Sequence, residues 1–170
     1  MTAPGSAASS APGSAPRSAA EQQRVDAALI DLFETRITFN QTLGLKITSV
    51  QEGDVRATFD MRPALVGHYA HGRLHGGVIS ATLDHIGGLA VVVAIAARHA
   101  PDTAQQVLQR FARLSTIDLR VDYLRQGLGK QFTVSAQVTR LGGRIASTQM
   151  RLVNEESTLI ATGAAAYTVA

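Results

Sequence analysis

The chain has 170 residues, a length that fits one domain of ordinary size plus a tail. Because 45% of its residues are hydrophobic and only 17% are charged, it can bury a core, which excludes a wholly disordered protein. Its net charge is +3 without a long basic run, and only 5% of its residues are aromatic, so we expect no nucleic-acid partner. It has no cysteine, which excludes disulfides and thiolate chemistry and agrees with a cytoplasmic location.

Residues 1–20 consist almost entirely of Ala, Ser, Pro and Gly. Such a segment cannot bury enough apolar surface to offset its chain entropy, so we expect a disordered tail followed by one domain over residues 21–170. Pro4, Pro12 and Pro16 interrupt any apolar run, which argues against a signal peptide. We therefore expect a protein that is not exported.

An amphipathic helix is predicted at the start of the ordered chain. Ser18 and Glu21 have the spacing of a capping box, in which each side chain satisfies a backbone amide at the helix start. Apolar residues then recur at helical spacing over 25–37, and we expect the helix to end near residues 38–40.

The remaining segments predict an α+β domain built around one very apolar helix. In chain order they are two strands over 45–50 and 55–61, a loop over 62–76, a long helix over 77–97, a shorter helix over 103–114, and four strands over 115–125, 131–141, 144–154 and 158–169. The first of these four strands alternates most regularly, with apolar residues on one face at Ile117, Leu119, Val121 and Tyr123. Short turns between consecutive strands imply an antiparallel sheet, one face of which buries the apolar helix.

The apolar helix is also long enough to cross a membrane. However, Asp84 and His85 lie in its middle, and amphipathic strands precede and follow it. We therefore expect a core helix and no membrane span.

Gly76 and Gly77 stand where the loop turns into the long helix. The opening amides of a helix lack intrahelical acceptors and carry the positive end of the helix dipole. With no side chain in the way, a polarised carbonyl oxygen can approach them, so the two glycines form a candidate oxyanion hole. The alternative is that they only permit a tight turn.

Asp84 is a carboxylate two turns into this otherwise apolar helix. An unpaired carboxylate there would be costly, so Asp84 is expected to be paired, hydrated or functional. A functional acid at this depth suits a general base or a nucleophile. The alternative is an ion pair with an arginine on the sheet or on a second subunit.

Small residues lie about one helical turn on either side of that acid, at Ser80, Ala81, Gly87 and Gly88. Adjacent glycines inside a helix cost about 1 kcal/mol each relative to alanine, which points to a packing or binding reason. The small residues would let a narrow ligand approach the carboxylate, or would let a strand pack closely against the helix.

His71, His75 and His85 could suggest a metal site, but two of them fall in the predicted loop and no HExxH spacing occurs. The sequence also holds no GxGxxG or P-loop pattern. We therefore expect neither a metal nor a cofactor.

The stretch HGGVISATLDHIGGLA, which begins at His75, resembles the central-helix motif of the PaaI-like acyl-CoA thioesterases of the hotdog fold. In that motif HGG is followed by an Asp nine positions after the His, which fits Asp84. The later stretch TIDLRVDYLRQGLGKQFTVSAQVTRLGGRIAS is similar to the family's following strands. The resemblance covers about residues 25–169 and is especially close to the YigI group of medium- and long-chain acyl-CoA thioesterases.

Carried over position by position, the resemblance implies that Asp84 is the general base or nucleophile, that the Gly76 amide polarises the thioester carbonyl, and that Thr116 helps to position water. It also places His68 and His75 in the catalytic set. The residues expected to contact the CoA part of an acyl-CoA substrate are Gly77, Arg125, Gly143 and Arg144.

In hotdog thioesterases the helix amide and the carboxylate come from two subunits, so the resemblance implies a homodimer or homotetramer. Two positions depart from the family pattern: His68 stands where many relatives have Asn, and Gln126 stands where Pro is common. Two other functions remain open, an acyl-CoA-binding dimer without hydrolysis and a dehydratase or hydratase. The latter would need a catalytic His paired with the acid.

Overall fold

The computed structural model describes residues 17–169. Its helices are α1 (Ala19–Asp31), α2 (Thr38–Leu43), α3 (Gly76–Arg98) and α4 (Ala104–Phe111), with a π-helical turn at Leu32–Arg36 and a 3-10 turn at Pro63–Leu65. Its strands are β1 (Lys46–Gln51), β2 (Asp54–Asp60), β3 (Val66–His68), β4 (Arg73–Leu74), β5 (Ser115–Tyr123), β6 (Gln131–Leu141), β7 (Ile145–Asn154) and β8 (Leu159–Thr168). Every predicted helix and strand is present, and the predicted loop contains β3 and β4. Most of the predicted tail, residues 1–16, lies outside the described residues.

Six strands form one antiparallel sheet in the order β1-β2-β6-β7-β8-β5, and β3 pairs with β4 in a separate hairpin. Helix α3 contacts all six strands of the sheet, so the sheet wraps around it. Every residue from Ile86 to Ala96 is buried, and each fully buried Ile, Leu or Val there contributes about 1.5–3 kcal/mol to folding. This confirms the predicted α+β layout around a central apolar helix.

Helix α3 is long and apolar enough to cross a membrane, but 72% of its most apolar window is buried inside the protein. The sequence predicted a core helix because strands precede and follow it, and the six strands of the sheet do pack on α3. Helix α3 is the core of the domain.

The N-terminal helix differs from its prediction at both ends. Ser18 accepts from the Glu21 N–H (3.2 Å), but the Glu21 carboxylate accepts from the Ala104 N–H (3.0 Å) at the start of α4. The second half of the predicted capping box is therefore wrong, because Glu21 caps a neighbouring helix. Helical structure also resumes at Thr38 and ends only at Gly44, whose φ of 74° gives a left-handed C-cap.

Strand β5 forms one edge of the sheet and contains a β-bulge. Thr116 pairs with Tyr167 of β8, and the next paired residue is Asp118, so Ile117 has no partner. The bulge turns Thr116 toward α3 and leaves Ile117 51% exposed, although alternation predicted Ile117 on one face with Leu119. None of the nine residues of β5 is buried, so the most regular apolar pattern of the chain lies on an exposed edge strand.

Candidate functional site

Asp84 projects from α3 toward the paired strands β5 and β8. One carboxylate oxygen, Oδ1, accepts from Thr116 Oγ1 (3.0 Å) and from Tyr167 Oη (3.2 Å). Thr116 and Tyr167 lie directly opposite each other, so both hydroxyls reach the same side of the sheet. Within residues 17–169 no basic side chain pairs with Asp84, so the ion pair considered as the alternative does not form in this chain.

Tyr167 is a member of this group that the sequence did not single out. Tyr167 is 1% exposed, and burial, with the nearby charge of Asp84, raises its pKa far above the ordinary range of a phenol. The only signal in the sequence is an aromatic residue at a core-facing position of the last strand. Its partnership with Asp84 follows from the register of β8 against β5.

Gly87 explains part of the small-residue pattern. A Cβ on Gly87 would overlap the Tyr167 hydroxyl and would approach both Met150 Sδ and Thr148 Oγ1 to 3.2 Å. A Cβ on Gly88 would meet Leu114 Cδ2 at an ordinary 3.5 Å. Close packing therefore requires the first glycine and not the second.

His85, the residue after the acid, points elsewhere. Its ring packs on Phe39 with the ring centroids 5.8 Å apart, and in the described chain it makes no hydrogen bond to Asp84. Burial lowers the pKa of His85 below its ordinary 6.5, against the opposing effect of the Asp84 charge. The His–acid pair that a dehydratase would need is not formed by these two residues.

The start of α3 distinguishes between the two predicted oxyanion donors. His75 is the N-cap, and its Nδ1 accepts from the Gly77 N–H (2.9 Å). In the part of the chain that the structure describes, the Gly76 N–H has no acceptor. The Gly76 carbonyl accepts from Tyr123 Oη (3.1 Å), which ties the end of β5 to this turn. Gly76, and not Gly77, therefore presents a free amide to a ligand.

The β3–β4 hairpin lies against this turn. A Cβ on Gly67 would overlap the His75 backbone, so the hairpin approaches the N-cap closely. The His68 ring stacks on His71 with centroids 4.8 Å apart, and His68 Nδ1 is buried without a partner among the described residues. Across residues 17–169 no three His, Asp or Glu side chains come together as a metal site requires.

The predicted CoA contacts fall at two places. Arg125 follows β5 and lines an open cleft of about 400 Å³ together with Arg73, Gly76 and Tyr123. Gly143 and Arg144 lie in the β6–β7 turn at the other end of the sheet, where the Arg144 carbonyl accepts from the N–H of Val169 just after β8. The structure therefore brings Arg125, but not Gly143 and Arg144, to the free amide of the same chain.

The acid and the free amide are also far apart within one chain. Asp84 follows Gly76 by eight residues on a continuous helix, which separates their backbones by about 12 Å along the axis. One carbonyl group cannot contact both. The chain thus has an acid end, with Asp84, Thr116 and Tyr167, and an amide end, with Gly76, His75 and Tyr123.

An antiparallel sheet wrapped around one long helix defines the hotdog class of α+β proteins. The chain belongs to the thioesterase superfamily, whose domain matches residues 71–161. This confirms the family that the sequence motifs resemble.

Known relatives agree with this assignment. Over 139 residues the chain is 37% identical to the medium/long-chain acyl-CoA thioesterase YigI of Salmonella typhimurium, covering 82% of this chain and 90% of the relative. The YigI protein of Escherichia coli K12 matches with the same identity and coverage.

Solved structures give the same result. A Shewanella oneidensis protein described as related to the thioesterase superfamily superposes with a TM-score of 0.81 at 37% identity, covering 88% of this chain and 97% of that one. A Syntrophus aciditrophicus protein superposes with a TM-score of 0.79 at 31% identity, covering 89% and 100%.

Proposed function

We propose that the protein hydrolyses acyl-CoA thioesters with medium or long acyl chains to the free acid and CoA. The observation that carries this proposal is the combination of a carboxylate held by two hydroxyls and a helix-opening amide that has no acceptor within residues 17–169. The names of the YigI relatives supply the substrate class. The cysteine-free sequence also fits a cytoplasmic enzyme.

The two groups supply complementary parts of the chemistry. Asp84, as general base, takes a proton from water while the water oxygen forms a bond to the thioester carbon. The Gly76 N–H donates to the carbonyl oxygen as negative charge develops there, a contact typically worth about 3 kcal/mol. The carbon–sulfur bond then breaks, the CoA thiolate leaves, and the proton held by Asp84 passes to the thiolate, which restores the carboxylate. Thr116 orients the base, His75 keeps the first turn of α3 in place, and His68 offers a ring nitrogen near that turn.

We also propose that the working unit is at least a homodimer, because the acid and the amide of one chain cannot meet. The β5 edge is unpaired among the described strands, with Thr116 near one end and Tyr123 at the other. Antiparallel pairing of two β5 edges about a two-fold axis would set the acid end of one copy beside the amide end of the other.

The same pairing would unite the residues proposed to bind CoA. Arg125 lies at the amide end, and Gly143 and Arg144 lie at the acid end, so one composite site would take its basic residues from both copies. Arg73 lines the cleft beside the Gly76 amide and adds another positive charge. Guanidinium groups suit the phosphates of CoA because they donate in a fixed planar fork.

The test is release of free thiol by the purified protein from a panel of acyl-CoAs of increasing chain length. We expect turnover to be highest with medium or long chains and to fall by about 100- to 10,000-fold in Asp84→Asn. Asp60→Asn, which changes an exposed acid on β2, is the matched control and should retain activity. Tight acyl-CoA binding without thiol release would instead identify a binding protein, and near wild-type turnover by Asp84→Asn would exclude the mechanism.

A further inference from the structure

The two oxygens of the Asp84 carboxylate have different surroundings. Oδ1 accepts from Thr116 Oγ1 at 3.0 Å and from Tyr167 Oη at 3.2 Å, although Tyr167 shares its single hydroxyl hydrogen with the Asp84 backbone carbonyl at 3.0 Å. Among residues 17–169, Oδ2 has only a long contact, 3.4 Å, to the same Thr116 hydroxyl. A base must direct a lone pair at water, so an oxygen already occupied by two donors is poorly suited to that task, and the other oxygen is free for it.

Tyr167 contacts more than the carboxylate. Its Oη lies 3.0 Å from the Asp84 backbone carbonyl and 3.2 Å from Oδ1, so one hydroxyl faces both the main chain and the side chain of the same residue. This arrangement ties the carboxylate to the backbone of α3. It limits rotation of a short side chain that would otherwise exchange its two oxygens.

The surroundings of Tyr167 fix its hydroxyl at this point. The ring is buried, and the absence of a side chain at Gly87 leaves space where the hydroxyl enters the helix surface. Burial raises the pKa of Tyr167, so the hydroxyl keeps its hydrogen and acts as a donor toward Asp84. The bulge at Ile117 turns Thr116 inward so that the second donor meets the same oxygen.

We propose that Tyr167 is a positioning residue that, together with Thr116, holds Oδ1 of Asp84 and so makes Oδ2 the oxygen that contacts the attacking water. This inference rests on the proposed thioester hydrolysis and adds which atom acts and what orients it. Tyr167 touches neither the water nor the thioester, and its effect passes through Asp84.

The experiment is a double-mutant cycle on thiol release, with Tyr167→Phe, Asp84→Asn and the double variant. Tyr167→Phe should lower kcat about tenfold with KM within twofold of wild type, because it disturbs the reacting group and not the bound CoA. In the Asp84→Asn background the same change should cost less than twofold, since no base remains to be oriented. An equal loss in both backgrounds, or no loss in the wild-type background, would overturn the inference.

A crystal structure of Tyr167→Phe beside that of the wild type provides a readout that does not need activity. We expect the Asp84 carboxylate to occupy one orientation in the wild type and a second rotamer in the variant, with the ring still in place. An unchanged carboxylate orientation would contradict the role of Tyr167 even if the protein hydrolysed no acyl-CoA. If Tyr167→Phe shows the expected second rotamer but the wild-type protein releases no thiol, only the proposed function is contradicted.

Discussion

The acid end and the amide end of the chain are built in opposite ways. At the acid end, Asp84 is bound by Thr116 and by the buried Tyr167, so its geometry is fixed by packing before any ligand arrives. At the amide end, the Gly76 N–H faces an open cleft and has no acceptor among the described residues. We infer from this difference that the fold preorganises the acid, whereas a bound ligand would complete the hydrogen bonding of the amide. About 12 Å of helix separates them, and this separation is the reason for our proposal that the reaction takes place between two copies of the chain.

The sharpest test of the amide end removes only its N–H. Gly76 is the first residue of α3, where proline is favourable for the helix and lacks the amide hydrogen. We expect Gly76→Pro to fold and to lose about 100- to 1000-fold in kcat for acyl-CoA hydrolysis.

Gly76→Ala is the matched control because it keeps the N–H. Its Cβ would meet the Tyr123 ring at an ordinary 3.5 Å. Thiol release within a few-fold of wild type is expected for Ala, with similar circular dichroism for both variants. Equal losses in the two variants would mean that bulk at position 76, and not the missing donor, inhibits the enzyme.

The separation of the two ends can be tested by mixing inactive variants. If each site combines the amide of one copy with the acid of the other, a mixed dimer of Gly76→Pro and Asp84→Asn contains one intact site and one doubly altered site. Co-expression in equal amounts makes half of the dimers mixed, so activity should return to about a quarter of the wild-type value. Each variant expressed alone gives the baseline. A mixture no more active than its components would show that the acid and the amide do not act across subunits.

Adjacent glycines test how closely the acid end is packed. Gly87→Ala should displace the Tyr167 hydroxyl, because its Cβ would overlap that oxygen, and should lower kcat about tenfold. Gly88→Ala adds the same methyl one residue later, where it meets Leu114 at an ordinary distance, so activity should be retained. Both changes raise helix propensity by about 1 kcal/mol, which makes them a matched pair. Both kcat and the thermal midpoint are measured for the two variants. Equal changes in both variants would mean that helix stability, and not the position of the Tyr167 hydroxyl, determines the effect.

Several features of the acid end could be predicted from residue patterns, and others could not. The apolar run with one carboxylate identified α3 and Asp84, and the family motif pointed to Thr116. The alternation of apolar and polar residues predicted Ile117 on the same face of β5 as Leu119, because a β-bulge cannot be detected from that alternation. The contact of Tyr167 with Asp84 could not be predicted, because it depends on which residue of β5 Tyr167 faces, and this register arises from the whole sheet.

At the amide end, too, some features could be predicted from the sequence and others could not. Two adjacent glycines marked the start of the helix, but which amide stays free depends on the His75 rotamer that places Nδ1 on the Gly77 N–H. The 12 Å between the acid and the amide, in contrast, follows from helix geometry once α3 is recognised. The predicted capping box of Glu21 does not form because the Glu21 carboxylate accepts from the Ala104 N–H of α4, which lies more than eighty residues later in the chain.

The smallest expected effect concerns the pH dependence of stability at His85, the residue that follows Asp84 in α3. Burial lowers the pKa of His85 in the folded protein below its ordinary 6.5, so between pH 7 and 5 the unfolded chain binds a proton at this residue more readily than the folded chain does. Stability contributed by neutral His85 is therefore present above pH 6.5 and decreases as the pH falls below it. His85→Gln cannot take up that proton. Its free energy of unfolding in urea, measured at fixed protein concentration, should decrease less between pH 7 and 5 than that of the wild type. Between pH 8 and 7 the difference between the two proteins should change little, because the pH lies above 6.5. Parallel curves down to pH 5 would show that burial does not keep His85 neutral.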